Sequence, residues 1–175
     1  KHSIVVGYFG HLTDAWFDWS LLLNLASKTK NYKYEIIGYG EPAWVRQKLV
    51  DFENISFIGK VHPSELHSYA SNWTVGLIPF VESELSKSVD PIKIYEYLYF
   101  GLRVVVTGIE HLDDYPNTFF SEKSAIKETL LRAVESAIDP DNLNDFLEET
   151  TWSARFDQLM MLSEEKSGIF SLYEK

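Results

Sequence analysis

The sequence predicts a three-layer α/β domain built on an open parallel sheet. Short apolar runs rich in β-branched residues alternate along the chain with segments of helical periodicity. Most of these runs lack the polar alternation of a half-exposed strand, which is typical of strands buried on both faces. A chain in which such strands and helices alternate is expected to cover its sheet with helices on both sides.

Six strands and seven helices are expected. The strands are Ile4–Gly10, Tyr34–Gly38, Ile55–Gly59, Thr74–Pro79, Arg103–Thr107 and a short one near Thr118–Phe120. The first helix is expected to begin after a cap at Asp14 or Asp18. The other six are expected at Pro42–Val50, Pro63–Ala70, Asp90–Gly101, Ser124–Ile138, Leu143–Glu149 and Trp152–Glu165. No repeat or linker interrupts this order, so residues 1–175 are predicted to form a single domain.

Composition excludes several classes of function. The 16 basic and 26 acidic residues give a net charge of −10, which disfavours binding to nucleic acid. The absence of cysteine excludes disulfides and thiolate metal sites. No apolar run reaches the length of a membrane span and no signal peptide is visible, so a cytoplasmic location is expected. Because the chain enters a strand at once and its only methionines are Met160 and Met161, we expect it to be part of a longer protein.

The segment from Asp90 to Gly101 organises the rest of the prediction. Asp90 is expected to cap a helix, Pro91 to take its first position, and Gly101 to end it in a left-handed conformation. Spacing of three and four residues predicts a single apolar stripe, formed by Ile92, Tyr95 and Tyr99.

Two opposite charges lie on another face of that helix. Lys93 and Glu96 are three residues apart, and the positive end of the helix dipole is close to both. A cation, a carboxylate and a helix N-terminus suit an anionic ligand that also carries hydroxyl groups. The alternative is an exposed helical ion pair with no ligand.

Glycine recurs where the predicted strands end, which is the edge at which open parallel sheets bind ligands. These ends are Gly10–His11, Gly38–Gly40, Gly59–Val61 and the loop 80–89. Glycine lets backbone approach a ligand, although it also simply turns a chain. His62 and His67 have no acidic partner at ligand spacing, so we expect no metal site.

Several segments together are similar to a known family. They are Gly7–Gly10, Glu35–Gly38, Asn54–Val61, Glu65–Tyr69, Val75–Phe80, Asp90–Leu98, Gly101–Thr107 and the terminal Trp152–Phe156. This order resembles the C-terminal, donor-binding half of a GT-B glycosyltransferase of glycosyltransferase family 4, the group 1 transferases. The nearest likeness is to the bacterial polysaccharide-synthesis branch, and it implies a flavodoxin- or Rossmann-like domain.

The resemblance implies roles for particular residues. Glu96 would hold the ribose hydroxyls, since a carboxylate accepts two hydrogen bonds from a diol. Lys93 and its helix N-terminus would neutralise the diphosphate. The wall against which the base packs would be built around Gly59, Lys60, Val61 and Leu66.

Two departures from the family pattern affect the remaining assignments. Ser88 stands eight positions before Glu96, where many members carry a second glutamate; Asp90 and Glu84 are the substitutes considered. The basic pair that many members have after the first strand is replaced by Gly10 and His11, which shifts the phosphate contact to Lys93 and His11. The candidate catalytic residues are Asp90 and Lys93.

The implied enzyme is a retaining hexosyltransferase that moves a sugar from a UDP- or GDP-sugar to a polysaccharide or glycolipid acceptor, with no metal or other cofactor. Its acceptor site would lie on an N-terminal domain outside this chain, so the chain alone should bind nucleotide weakly and transfer no sugar. Peripheral contact with the inner face of the membrane is left open. The alternatives are a GT-B-fold nucleotide-sugar epimerase and a non-catalytic binding or scaffold module.

Overall fold

The computed structural model describes residues 3–151. The chain divides into two compact units, Lys1–Asp139 and Pro140–Lys175. The first contains the whole sheet, and the described part of the second is a helix at Pro140–Glu149. The predicted helix Trp152–Glu165 lies outside the described residues, and the single domain over 1–175 stays a prediction.

Six parallel strands form one sheet in the order β3-β2-β1-β4-β5-β6. They are β1 (Val5–His11), β2 (Lys33–Tyr39), β3 (Ile55–Gly59), β4 (Val75–Pro79), β5 (Arg103–Thr107) and β6 (Thr118–Phe120). The central strands are buried throughout or nearly so, because apolar β-branched and aromatic side chains fill both of their faces. The predicted α/β fold is therefore confirmed.

The helices are α1 (Trp19–Lys28), α2 (Ala43–Leu49), α3 (Leu66–Ala70), α4 (Ile92–Tyr99), α5 (Ile126–Glu135) and α6 (Pro140–Glu149). From β1 the chain first steps outward through β2 to β3, and it then returns to β4 and continues in the opposite direction to β6. Right-handed crossovers place α1 and α2 on one face and α3 and α4 on the other, while α5, which follows β6, packs beside α1. Strand order reverses between β1 and β4, which is where such sheets bind ligands.

On the face of the sheet that carries α4, two glycines leave room for large side chains to pack. Gly7 and Gly76 are register neighbours on β1 and β4. A Cβ at Gly7 would overlap the indole of Trp73, and one at Gly76 would lie 2.7 Å from the ring of Tyr97. The missing side chains thus let two large rings, 6.1 Å apart, lie directly on the sheet. This contact fixes the height of α4 above the strands.

Most predicted elements agree with the structure within a few residues. Asp18 caps α1 by accepting from the amide of Leu21 at 2.9 Å, which decides between the two caps considered. The amphipathic helix expected over 124–138 is a short 3-10 turn followed by α5, and it ends at Glu135. The expected helix Leu143–Glu149 begins three residues earlier, at Pro140.

Two expectations about α4 are wrong. Its N-cap is Pro91 in an extended conformation, with no side-chain cap, so Asp90 lies one residue too early to cap the helix. The buried residues are Ile94, Tyr97 and Leu98, whereas Ile92 and Tyr99 of the predicted stripe are 66% and 76% exposed. Apolar side chains surround this helix, so spacing alone could not identify the face that the sheet covers. Gly101 does follow the helix with φ +71°, as predicted.

Candidate functional site

The candidate site lies at the carboxyl edge of the sheet, between the ends of β1 and β4 and the start of α4. The loop from β4 to α4 is fastened there on both sides. The amide of Val81 donates to the carbonyl of Trp16 at 2.8 Å, and the Thr107 hydroxyl donates to the carbonyl of Phe80 at 3.0 Å. Further along, the buried Ser86 hydroxyl donates to the carbonyl of Gly108 at 3.0 Å. The base of the loop is therefore fixed.

Lys93 brings a cation to this edge in a partly buried position. Its Nζ donates to the hydroxyl of Tyr8 at 2.7 Å, and it lies 4.2 Å and 5.2 Å from the ring centroids of Tyr8 and Phe80. Burial lowers the pKa of Lys93 to about 8, and the charge of Glu96 partly opposes that shift. An ammonium placed among aromatic rings attracts an anion more strongly than one in water.

Glu96 lies one turn further along α4 and is half-buried. Burial raises the pKa of its carboxyl, while the charge of Lys93 acts in the opposite direction. The two side chains are thus electrostatically coupled and share the same partly desolvated region. An ionised carboxylate in that setting is a strong acceptor for hydroxyl groups.

Gly10 gives the Lys93 ammonium room at the end of β1. A Cβ at position 10 would lie 2.5 Å from Nζ of Lys93, and the residue has φ +145°, where side chains are rarely tolerated. The positive φ favours glycine here, and any side chain would also displace the Lys93 ammonium. Gly10 was predicted as a site residue because it ends a strand, and the structure gives it a specific neighbour.

A second group of side chains lies at the ends of β1, β2 and β3. The ring of His11 meets that of Tyr39 edge-on, with centroids 5.0 Å apart. Nζ of Lys60 lies 5.1 Å from the Tyr39 centroid. All three side chains are exposed, Tyr39 by 54%. The predicted residues His11 and Lys60 are therefore brought together by an aromatic ring that the sequence analysis did not select.

Three other predicted residues lie around the same edge. Val61 follows β3 and is half-buried, and Leu66, also half-buried, is the first residue of α3. Ser88 is exposed at the end of a 3-10 turn, Ser86–Ser88, and its hydroxyl donates to the carbonyl of Glu84 at 3.1 Å. These positions are compatible with ligand contact without showing it.

Asp90 has partners of its own beside α4. Its carboxylate accepts from the hydroxyl of Tyr95 at 2.5 Å and from that of Tyr115 at 3.2 Å, and the two hydroxyls are 3.1 Å apart. The three side chains connect the start of α4 to the loop before β6. This arrangement explains why Asp90 is not used as a helix cap.

A small pocket adjoins the candidate site on the side of β5 and β6. It has a volume of about 260 Å³ and is lined by Glu82, Lys87, Gly108, Glu110, His111, Phe120 and Glu122. Lys87 forms ion pairs with Glu82 at 3.4 Å and Glu84 at 3.3 Å. Its charge is therefore largely matched within the loop itself.

Two absences concern the part of the chain that the structure describes. Within residues 3–151, no group of three or more His, Asp or Glu side chains is placed to hold a metal ion. None of the helices in the same range combines the length and apolar character needed to cross a membrane.

Tyr8, Tyr39 and Phe80 are the site residues that sequence reasoning missed. One signal was available for Tyr8: a tyrosine in an otherwise apolar buried strand must place its hydroxyl against a polar partner, and this strand ends in glycine. The partner itself, Lys93, is 85 residues away in sequence and could not have been inferred.

Comparison with known proteins identifies the family. The model of the family described as "Glycosyl transferases group 1" matches residues 3–139. This chain belongs to the group 1 glycosyltransferases. Its relatives include TuaH of Bacillus subtilis (strain 168), a protein named as a teichuronic acid biosynthesis glycosyltransferase. The two are 24% identical over 113 residues, which cover 62% of this chain and 28% of TuaH.

Several solved structures share the fold. The apo lipopolysaccharide outer core galactosyltransferase WaaB superimposes with a TM-score of 0.72 at 15% identity, over 94% of this chain and 50% of WaaB. A mutant of S. aureus TarM superimposes with a TM-score of 0.71 at 13% identity, over 93% of this chain and 36% of TarM. HepE of Anabaena superimposes with a TM-score of 0.68 at 13% identity, over 94% of this chain and 48% of HepE. The chain thus spans half or less of the length of these proteins, and the predicted Rossmann-like GT-B fold is confirmed.

Proposed function

We propose that this group 1 glycosyltransferase chain is the nucleotide-sugar-binding part of an enzyme that transfers a hexose to a polysaccharide or glycolipid acceptor. One observation carries the proposal: Lys93 and Glu96 lie together at the carboxyl edge of the sheet, where strand order reverses. This chain offers a partly desolvated cation and carboxylate at the position where a GT-B domain is expected to hold a nucleotide.

Within this proposal each group has one task. Lys93, with the positive end of α4, neutralises the diphosphate as the sugar leaves. Glu96 accepts hydrogen bonds from the ribose hydroxyls. The base lies toward Val61 and Leu66, beside the exposed group of His11, Tyr39 and Lys60. Asp90 is less suited to act on the donor, because its carboxylate already accepts from two tyrosine hydroxyls.

Relatives support a uridine nucleotide as the donor carrier. The TarM mutant was solved with Fondaparinux, alpha-GlcNAc-glycerol and UDP, and HepE was solved with UDP and glucose. TuaH is named for teichuronic acid biosynthesis, and WaaB is named as a lipopolysaccharide outer core galactosyltransferase. We therefore take UDP as the first ligand to test and GDP as the second.

Several parts of the proposal come from the family resemblance alone. They are transfer with retention, a reaction without a metal, and an N-terminal partner domain that binds the acceptor. The cytoplasmic location is instead carried over from the composition of the sequence, and peripheral contact with the membrane is proposed for the full enzyme. The same resemblance predicts that these 175 residues bind nucleotide weakly and transfer no sugar by themselves. Sugar transfer catalysed by this chain alone would contradict that division of labour.

A thermal-shift screen followed by calorimetry tests donor binding directly. We expect UDP to raise the melting temperature of the chain, because a ligand that binds only the folded state stabilises it by mass action. Uridine should give a smaller shift, since it offers no charge to Lys93. If neither UDP nor GDP bound at millimolar concentration, the proposed function would be lost.

A second candidate is a nucleotide-binding module that performs no transfer. The observation in its favour is Ser88, which stands where many family members carry an acid and whose hydroxyl instead donates to a backbone carbonyl at 3.1 Å. This module would bind UDP yet leave the longer protein unable to form a glycosidic bond. Product analysis of the longer protein with UDP-sugars distinguishes the two candidates.

A further inference from the structure

The hydroxyl of Tyr8 can serve Lys93 in only one way. It donates its single proton to the carbonyl of His11 at 3.0 Å, and a carbonyl oxygen can only accept. Its oxygen must then accept from the ammonium of Lys93, which lies 2.7 Å away. The direction of both hydrogen bonds is therefore set by the chemistry of the groups.

The tyrosine ring is itself held firmly. Tyr8 is 1% exposed and meets the ring of Phe17 edge-on, with centroids 4.6 Å apart. Burial raises the pKa of its hydroxyl, so the group stays neutral throughout the range in which Lys93 titrates. The hydroxyl is thus a fixed acceptor at the end of β1.

We propose that Tyr8 is a positioning residue for the donor diphosphate: its hydroxyl fixes the Lys93 ammonium at the end of β1, in the opening that Gly10 leaves. The inference rests on the proposed function and deepens it. One N–H bond of the ammonium is used on Tyr8, and the remaining two are left for phosphate oxygens. A lysine side chain that is already ordered loses less conformational freedom when the ligand binds.

The simpler view of the same contact is structural. Tyr8 lies on β1 and Lys93 on α4, so their hydrogen bond also connects strand and helix across 85 residues of sequence. Loss of a purely structural bond would lower stability and leave binding unchanged, or weaken every ligand equally. A positioning role predicts a loss confined to ligands that carry phosphate, and a change in the titration of Lys93.

Tyr34 offers a matched control for the test. It is also a fully buried tyrosine, and its hydroxyl lies 2.6 Å from the hydroxyl of Thr29. Tyr34→Phe therefore removes a buried phenolic hydrogen bond that does not involve Lys93. Both variants should lose a similar amount of stability, which urea unfolding measures.

Binding of UDP and of uridine to the 175-residue chain is measured by calorimetry. For Tyr8→Phe we expect about tenfold weaker binding of UDP and unchanged binding of uridine. Tyr34→Phe should bind both as the wild type does. If Tyr8→Phe weakened neither ligand, or both equally, the positioning role would be overturned while the proposed function stood.

A second measurement needs no nucleotide. The Cε resonance of Lys93, followed by NMR in chain labelled with ¹³C-lysine, reports its protonation. Among the residues that the structure describes, the titratable groups that act on Lys93 are the Tyr8 hydroxyl from β1 and Glu96 on its own helix, and the loop after β4 contributes the ring of Phe80. Tyr8→Phe should lower the midpoint of the Lys93 titration, because the charged form loses its acceptor. An unchanged midpoint would overturn the inference, and a wild-type chain that binds neither UDP nor GDP would remove it together with the proposed function.

Discussion

Two lysines lie at the carboxyl edge of the sheet, and the structure treats them differently. Lys93 is partly buried, donates to the Tyr8 hydroxyl at 2.7 Å and has its pKa lowered to about 8. Lys60 is exposed, and its ammonium lies over the ring of Tyr39 at 5.1 Å from the centroid. The first cation is fixed by the fold, whereas the second is an adaptable surface group.

The difference indicates which half of a donor each region suits. UDP- and GDP-sugars present the same diphosphate, so a rigid and desolvated cation can be built into the sheet for it. Bases differ, and an exposed aromatic ring flanked by His11 and Lys60 can adjust to them. We therefore assign the diphosphate, which these donors share, to the β1–α4 side. The base, which differs between donors, is assigned to the β2–β3 side.

The largest expected effect comes from removing each of the two cations in a separate variant. Lys93→Met should weaken UDP binding about a hundredfold, because a partly buried charge that contacts phosphate is removed. Lys60→Met should weaken it about threefold or less, as expected for an exposed charge. Calorimetry at low and high salt measures both. Equal losses for the two variants would break the comparison.

Glu96→Gln sharpens the assignment on α4. We expect about tenfold weaker UDP binding, since a neutral amide replaces the charged acceptor for the ribose diol. The difference between the wild type and Glu96→Gln should shrink with the 2′,3′-dideoxy form of UDP, because that ligand has no diol to lose. A difference of the same size with the dideoxy ligand would show that Glu96 acts elsewhere.

The dependence of binding on pH separates the two lysines further. Between about pH 7 and 8.5 the terminal phosphate of UDP is already ionised and its uracil base still keeps its proton, so the remaining change is the loss of the Lys93 proton near pH 8. Binding should weaken by up to about fourfold across that window. Lys93→Met should remove this decline, and Lys60→Met should retain it. A decline that survived in Lys93→Met would contradict the assignment.

The same titration predicts the opposite trend in stability. The pKa of Lys93 is lowered from 10.5 to about 8 in the folded chain, so the unfolded chain binds more protons between these values. The contribution of Lys93 to the free energy of unfolding should therefore rise with pH across that window. Urea unfolding of wild type and Lys93→Met at pH 7.5 and 10 measures the difference.

The smallest effect is expected from the glycines beside the two regions. Gly10 and Gly59 both have positive φ, but a Cβ at Gly10 would meet Lys93 at 2.5 Å, while one at Gly59 has nothing within 4 Å. Both alanine variants carry backbone strain, and Gly10→Ala should cost about 1 kcal/mol of stability more than Gly59→Ala. Equal costs would mean that Lys93 moves aside freely.

The strands could be predicted because a buried parallel strand is marked by the composition of its own few residues. β5 and β6 have the predicted bounds, since apolar β-branched or aromatic runs leave little choice of element. Helix α4 shows the limit of this approach. Its apolar residues surround the helix, and only the sheet, through Gly76 and Tyr97, decides which face is buried.

The charged residues of the candidate site could be predicted from the sequence, but the side chains that surround them could not. Lys93 and Glu96 were selected from local spacing, which the sequence displays. The Tyr8 hydroxyl that holds Lys93, and the Tyr39 ring between His11 and Lys60, depend on contacts between distant segments. Asp90 was misassigned as a cap because its two tyrosine partners, one of them 25 residues away, were not visible in the sequence.

A crystal structure of the chain with UDP tests the central claim most directly. We predict a phosphate oxygen within hydrogen-bond distance of Nζ of Lys93, the ribose hydroxyls on the carboxylate of Glu96, and the Tyr8 hydroxyl still accepting from Lys93. A diphosphate bound at Lys60 or Lys87, with Lys93 unengaged, would contradict the account.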